Sequence, residues 1–243
     1  MPRLFVDTLL SESAELSLPA GAARHVQVLR LQPGAALTLF DGSGREWPAE
    51  VLAMMGRNEV TVRVNAPLAV ERELAHSVHL AVVMPANDRM DGIVEKATEL
   101  GAAEVQPLMS ERSVLRLVSD RADKKRAHWR GVAIAAAEQC GRARVTEIGA
   151  VQTLAQWLAA LPPASAAERR WLLSPTAAEP LSRRITEAGD LTLILSGPEG
   201  GLSPAEEEAA RAKGFVALSL GPRILRADTA PLAVLGALAL QSV

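Results

Sequence analysis

Residues Leu195–Glu206 read LSGPEGGLSPAE and continue the aliphatic run LTLIL at 191–195. The run reads as a buried strand. A glycine-rich loop with a glutamate inside it comes next, and then a helix start. Ser203 is placed to cap, Pro204 suits the first helical position and Glu206 completes a capping box. Glu206, Glu207 and Glu208 fall at the positive end of that helix, Arg211 and Lys213 at its negative end, and Gly214 ends it. A strand, a tight loop and a helix in this order place the loop at the C-terminal end of a parallel strand, where open α/β sheets bind ligands.

The loop is not built for phosphate. The spacing G-P-E-G-G is neither G-x-G-x-x-G nor G-x-x-x-x-G-K-[ST], and no lysine follows. Glu199 and the three glutamates of the helix would repel a pyrophosphate. Exposed backbone N–H and C=O groups suit an uncharged heterocycle such as adenine. The competing reading is that the glycines only make a tight turn. A second loop of the same kind, SLGPRILRADTAP at 219–231, follows the next expected strand and favours a ligand site. A third strand end, LLSPT at 172–176, supplies another edge. The residues expected to line the pocket are Leu173, Ser174, Leu195, Gly197, Pro198, Glu199, Gly200, Gly201, Leu220, Gly221, Ile224 and Leu225. Glu199 reads either as orienting the ligand or as capping its own loop, and Asp228 or Thr229 as capping the last helix.

Around these loops, strands alternate with helices from residue 71 to residue 243. Strands are expected at 79–84, 103–108, 144–149, 170–174, 191–196 and 215–221. Helices are expected at 88–101, 119–141, near 178–188 and at 204–213, with a short one on TLAQWLAAL and a last one from Thr229 to the end. This pattern implies a largely parallel sheet covered on both faces. Residues 1–70 differ. Short alternating pieces (4–6, 36–40, 47–54, 59–64) are separated by Pro33-Gly34, Asp41-Gly42-Ser43-Gly44 and Gly56-Arg57-Asn58, with one helix-like run at 22–31. They predict a small β-barrel or sandwich.

Composition narrows the class. The 243 residues suffice for one large or two modest domains. With three Phe, four Trp and no Tyr, alanine, leucine and valine fill the core. A net charge of -2 argues against holding nucleic acid by bulk charge, yet residues 111–144 carry nine Arg/Lys against four acids. The single cysteine, Cys140, cannot form an internal disulfide, and no zinc-ligand pattern or other metal set is present. No signal peptide or spanning segment is visible, so a cytoplasmic, soluble protein is expected. The last helix carries no charged side chain from Thr229 onward. A helix apolar all round needs cover on every side. A second subunit is the simplest cover, and a homodimer is expected.

Together, MPRLFV, RHVQVLRLQPG (24–34), LFDGSG (39–44), EKATELGA (95–102), QPLMSERSV (106–114), AAEQCGR (136–142), LSGPEGGLSPAE and LGPRILRADTA (220–230) resemble the ribosomal RNA small subunit methyltransferase E family, over almost the whole chain. The resemblance implies an α/β, SPOUT-type trefoil-knotted methyltransferase domain (71–243) with an N-terminal PUA-like RNA-binding β-barrel (1–70). It implies S-adenosyl-L-methionine in the three-loop pocket, and methylation of N3 of a uridine in 16S rRNA. It also implies a dimer. The acidic balance outside the basic stretch suggests that the partner is the assembled small ribosomal subunit, where affinity is shared over a large surface. RADTA departs from the family pattern, where a glutamate usually stands at the place of Asp228.

Loss of the N3 proton spreads negative charge onto O2 and O4 of the base, and a guanidinium there would stabilise it. Arg226 is assigned that catalytic role, against the alternative of an arginine pinning its loop. Arg112, Arg116 and Arg142 lie in or beside family motifs and are expected on RNA, as are Arg3, His25 and Arg30 of the barrel. No general base is evident. Rivals are a noncatalytic RNA-binding or assembly factor that kept the fold, an enzyme of the same superfamily acting on another base, and a dinucleotide oxidoreductase, which the missing G-x-G-x-x-G opposes.

Overall fold

The computed structural model describes residues 1–56, 59–87, 89–177, 179–187 and 189–241. Arg57 and Asn58 of the expected turn, Asp88 at the expected helix start, Ala178 and Ala188 at the ends of the helix expected near 178–188, and the final Ser242 and Val243 lie outside the described residues. The chain forms two units. The first comprises Met1–Glu73 and Ile134–Val145, the second Leu74–Ala133 and Thr146–Val243.

The first unit contains β1 (Arg3–Phe5), β2 (Glu15–Ser17), α1 (Ala20–Val28), β3 (Ala36–Phe40), β4 (Arg45–Met55), β5 (Glu59–Val64) and β6 (Leu68–Ala69). The strands run in the order β1-β3-β4-β5-β2, with β6 beside β4. Among the described residues only the β1–β3 pairing of this unit is parallel. Period-two alternation explains β5: Val60, Val62 and Val64 are buried while Glu59 and Arg63 face outward. Those valines join Leu4, Leu37, Leu39, Trp47 and Val51 in a core closed by Ala22, Ala23 and Val26 of α1.

The second unit contains β7 (Ser77–Val83), α2 (Arg89–Glu99), β8 (Glu104–Met109), α3 (Ser119–Cys140), β9 (Glu147–Ile148), β10 (Gln152–Thr153), α4 (Leu154–Ala160), β11 (Glu168–Leu173), β12 (Leu191–Ser196), α5 (Pro204–Ala212), β13 (Val216–Leu218) and α6 (Thr229–Ala239). The residues of α3 from Ile134 onward belong to the first unit. The sheet order is β10-β8-β7-β12-β11-β13, with β9 beside β8, and every pairing is parallel. β7 and β12 lie in the middle and are buried almost throughout, which is why they read as unbroken apolar runs. After edge strand β13 the chain returns to the middle of the sheet, where α6 packs against α2, β7 and β12.

Two expected elements are shorter. The helix expected near 178–188 is a single 3-10 turn, Leu181–Arg183. Pro180 bridges to Ser219 in parallel, Leu181 N–H donates to the Ser219 carbonyl, and Ser219 N–H donates to that of Glu179. Those bonds hold Pro180 extended where a helix would break them. The strand expected over 144–149 is reduced to Glu147–Ile148, because residues up to Val145 belong to the first unit. Among the described residues no helix is long and apolar enough to cross a membrane.

Candidate functional site

The site grows from the C-terminal ends of β11, β12 and β13. At the end of β12 the chain turns through Gly197–Gly201, with Gly201 N–H donating to the Pro198 carbonyl at 2.8 Å and Gly201 at φ +66°. A Cβ on Gly197 would lie 3.2 Å from Leu202 N, so a side chain there would push the returning loop outward. The Ser203 side chain accepts from Glu206 N–H while the Glu206 carboxylate accepts from Ser203 N–H, the capping box that starts α5.

The loop is held from both sides. On one side, Glu199 accepts the N–H of Ala86 at 3.1 Å and faces Arg89 at 3.4 Å. Glu199 therefore anchors its loop to the segment after β7 and does not cap the loop itself. On the other side, the second oxygen of Glu206 accepts Glu111 N–H at 2.8 Å, and Arg112 Nη1 donates to the carbonyls of Gly200 at 2.8 Å and Leu202 at 3.2 Å.

At the end of β11, Ser174 N–H donates to the Leu218 carbonyl, and its hydroxyl lies 3.1 Å from Thr176 Oγ1 and 3.3 Å from Glu207 Oε1. Beyond β13, Ser219 Oγ accepts Gly221 N–H at 3.2 Å, and the Arg226 carbonyl accepts the N–H groups of Thr229 and Ala230 as α6 begins.

These three strand ends enclose a cavity of about 460 Å³. Of the residues expected there, Leu173, Ser174, Gly197, Pro198, Glu199, Gly201, Leu220, Ile224 and Leu225 line it, and so does Arg226. Leu195 does not. It is fully buried in the core formed with Leu193, Leu202 and Phe215, and its neighbour Ser196 faces the cavity in its place. Gly200 and Gly221 also lie outside the lining. Among the wall residues that sequence reasoning did not name are Arg89, Ser196, Leu202, Glu207 and Ala230. Three arginines (Arg89, Arg223, Arg226) and two carboxylates (Glu199, Glu207) are spread around a wall otherwise made of backbone, small and aliphatic groups. That chemistry suits a ligand with an apolar body and a few polar ends. No cluster of three or more metal-ligating side chains is assembled among the described residues.

Asp228 stands at the start of α6 but makes no side-chain cap bond, and its Oδ1 is buried without a hydrogen-bond partner. It borders a second, open cavity of about 570 Å³ between α2 and α6, shared with Arg89, Ile93, Lys96, Thr229 and Leu232.

The residues expected on RNA divide. Arg3 and Arg142 lie in internal ion pairs. The Arg142 side chain is 5 % exposed and forks onto Glu73, while that of Arg3 is 14 % exposed, paired with Glu46 and donating to the Arg142 carbonyl. Burial holds the Arg3 guanidinium below its usual pKa, assisted by Arg72. Both arginines brace the interior of the first unit. His25 is half-exposed and lies 3.6 Å from Glu138. Arg30 is exposed and ends α1 in a left-handed conformation, φ +56°. Arg116 is exposed and touches only the Glu111 carbonyl among the described bonds.

A family model for an RNA methyltransferase domain matches residues 72–239, and one for an RNA methyltransferase PUA domain matches residues 18–65. The ribosomal RNA small subunit methyltransferase E of Bacillus subtilis is 32 % identical over 250 residues, covering 100 % of this chain and 97 % of its own. A crystal structure of the ribosomal RNA small subunit methyltransferase E of Neisseria gonorrhoeae, bound to S-adenosyl methionine, is similar with a TM-score of 0.89. It is 31 % identical and covers 99 % of this chain and 98 % of its own. A Legionella pneumophila protein solved in complex with the same cofactor also has a TM-score of 0.89 and 31 % identity, covering 98 % of this chain and 97 % of its own.

Proposed function

Because the chain belongs to the ribosomal RNA small subunit methyltransferase E family, with a PUA-like unit followed in sequence by a SPOUT-type α/β methyltransferase domain, we propose that it methylates N3 of a uridine in 16S rRNA, using S-adenosylmethionine held at the ends of β11, β12 and β13. One observation carries the reading. The cavity there is bounded mainly by loop backbone, small and aliphatic groups, with three arginines and two carboxylates spread around it, at a volume within the usual range for cofactor sites of roughly 300–1,000 Å³. The lack of a phosphate-binding lysine and the presence of Glu199 and Glu207 suit a neutral adenosine and a zwitterionic amino-acid end.

The cofactor supplies a methyl group already activated on a sulfonium, so the chain needs only to position the acceptor and manage its proton. The backbone of Gly197–Gly201 and Leu220, with Ile224 and Leu225, would hold the adenosine end. Arg226, exposed and lining the cavity, would face the base and stabilise charge on O2 and O4 as N3 gives its proton to solvent water. N3 lies on the pairing edge, so the uridine must be unpaired when it enters. Arg116 and Arg30, both exposed, and the half-exposed His25 are the candidates for phosphate contacts.

The return of the chain from edge strand β13 to α6 over β12 and β7 supports a trefoil knot. The open face between α2 and α6 supports a homodimer as its cover. The substrate is read as the small subunit in the cytoplasm.

The test is transfer of radiolabelled methyl groups to small subunits from cells lacking the enzyme, with the labelled nucleoside identified. N3-methyluridine is the expected product. Another methylated nucleoside would move the chemistry to another base, and no transfer to subunits or naked rRNA would overturn the reading.

A further inference from the structure

The turn after β8 is tied to the turn after β12 by its own backbone and one arginine. Ser110 and Ser113 are both buried, and they close the β8 turn on each other. Ser110 N–H donates to Ser113 Oγ at 2.8 Å, and Ser113 N–H to the Ser110 carbonyl at 3.2 Å. This fixed base presents two adjacent donors to the glycine loop. Glu111 N–H meets Glu206 at 2.8 Å. The Arg112 guanidinium meets the carbonyls of Gly200 and Leu202, on either side of the left-handed Gly201. The Arg112 stem lies along Gly200, where a Cβ would be 3.7 Å from its Cβ and Cδ. A charged donor bridging two carbonyls fixes their orientation, and with it the backbone of Gly201 and Leu202, both of which line the cavity.

We propose that Arg112 is a positioning residue for the methyl-donor loop, holding its carbonyls in the geometry that accepts the cofactor, and that it is not an RNA contact. The inference rests on the methyl-donor reading of the cavity. It differs from the sequence expectation, which places Arg112 on RNA with Arg116.

The experiment compares full-length wild type, Arg112→Ala and Arg112→Lys. Calorimetric titration with S-adenosylmethionine is expected to give a Kd about tenfold weaker for Arg112→Ala, about 1.4 kcal/mol. Arg112→Lys, which retains one donor, should fall between. KM for the cofactor should rise while kcat at saturating cofactor stays within twofold. Amide exchange in 197–203 should quicken in cofactor-free Arg112→Ala, while the sheet core exchanges as in wild type. RNA affinity and its salt slope should be unchanged, whereas loss of a phosphate contact would lower the slope by about one. A cofactor Kd within twofold of wild type, or a lowered RNA slope, would overturn the positioning role alone. Failure of wild type to take up the cofactor would overturn the methyl-donor reading together with it.

Discussion

Glu199 accepts the backbone N–H of Ala86 across 113 positions of sequence, at 3.1 Å. That bond joins the loop after β12 to the segment after β7, its neighbour in the sheet, and Arg89 lies 3.4 Å from the same carboxylate oxygen. The glutamate that makes the loop look hostile to phosphate is thus the bolt that closes one side of the cavity. Glu199→Ala is expected to weaken cofactor binding about tenfold, in line with the loss of a charge-assisted hydrogen bond of roughly 1.5 kcal/mol. Glu199→Gln keeps an acceptor for Ala86 N–H and should lose less. Titration of both variants with S-adenosylmethionine is the check; equal, wild-type affinity for both would remove the bolt.

Arg226 is exposed at the cavity rim, and only its backbone carbonyl is used in starting α6. Arg226→Ala therefore leaves the local backbone bonds intact. If its guanidinium stabilises charge on the base, kcat should fall on the order of 10²–10³-fold with cofactor affinity within twofold. Arg226→Lys retains the charge without the planar fork and should recover part of the rate. Single-turnover kinetics on small subunits separates these outcomes from altered RNA binding.

The local grammar of the site is legible in the sequence, and its long-range bonds are not. Ser203, Pro204 and Glu206 specify a helix start within four residues, and the capping box is found where they stand. In contrast, LTLIL lies in a strand covered on both faces, so its pattern carries no sign of which side chains face the cavity. Leu195 is expected there and Ser196 is found. The buried arginines show the same limit. Arg3 finds Glu46 and Arg142 finds Glu73 across 43 and 69 positions, and no local pattern separates such a strut from a phosphate contact. The helix expected near 178–188 is lost to bonds made with Ser219, which composition does not reveal.

The α5 cap gives a stability prediction. Ser203→Ala removes the acceptor for Glu206 N–H and should cost about 1 kcal/mol, typical of a lost N-cap. Glu206→Ala removes the other half of the box and also the strap to Glu111 N–H, so it should cost more, about 2 kcal/mol. Urea denaturation with an unchanged m-value is the readout. A smaller loss for Glu206→Ala than for Ser203→Ala would show that the strap contributes nothing.

Glu138 provides a pH dependence of opposite sign to that of an ordinary paired carboxylate. Burial raises its pKa above the usual 4.5, and the Phe5 N–H at 2.9 Å, His25 and Arg3 offset only part of that effect. The folded state therefore holds the proton to higher pH than the unfolded chain does. Between pH 4.5 and the raised folded value the folded state binds more protons. Stability from this group is thus fully present below pH 4.5 and declines as pH rises through that window. Glu138→Gln has the same shape, keeps an acceptor for Phe5 N–H and does not titrate. Its melting temperature relative to wild type should rise between pH 4 and pH 7. Asp41 has the reverse sign. Burial opposes its ionisation, but bonds from the Ser43 side chain and the Leu10 and Ser43 N–H groups prevail and hold its pKa low. Its contribution is common to both proteins and cancels in the difference. A melting difference that stays flat or falls across this range would show that ionised Glu138 is fully compensated by His25 and Arg3.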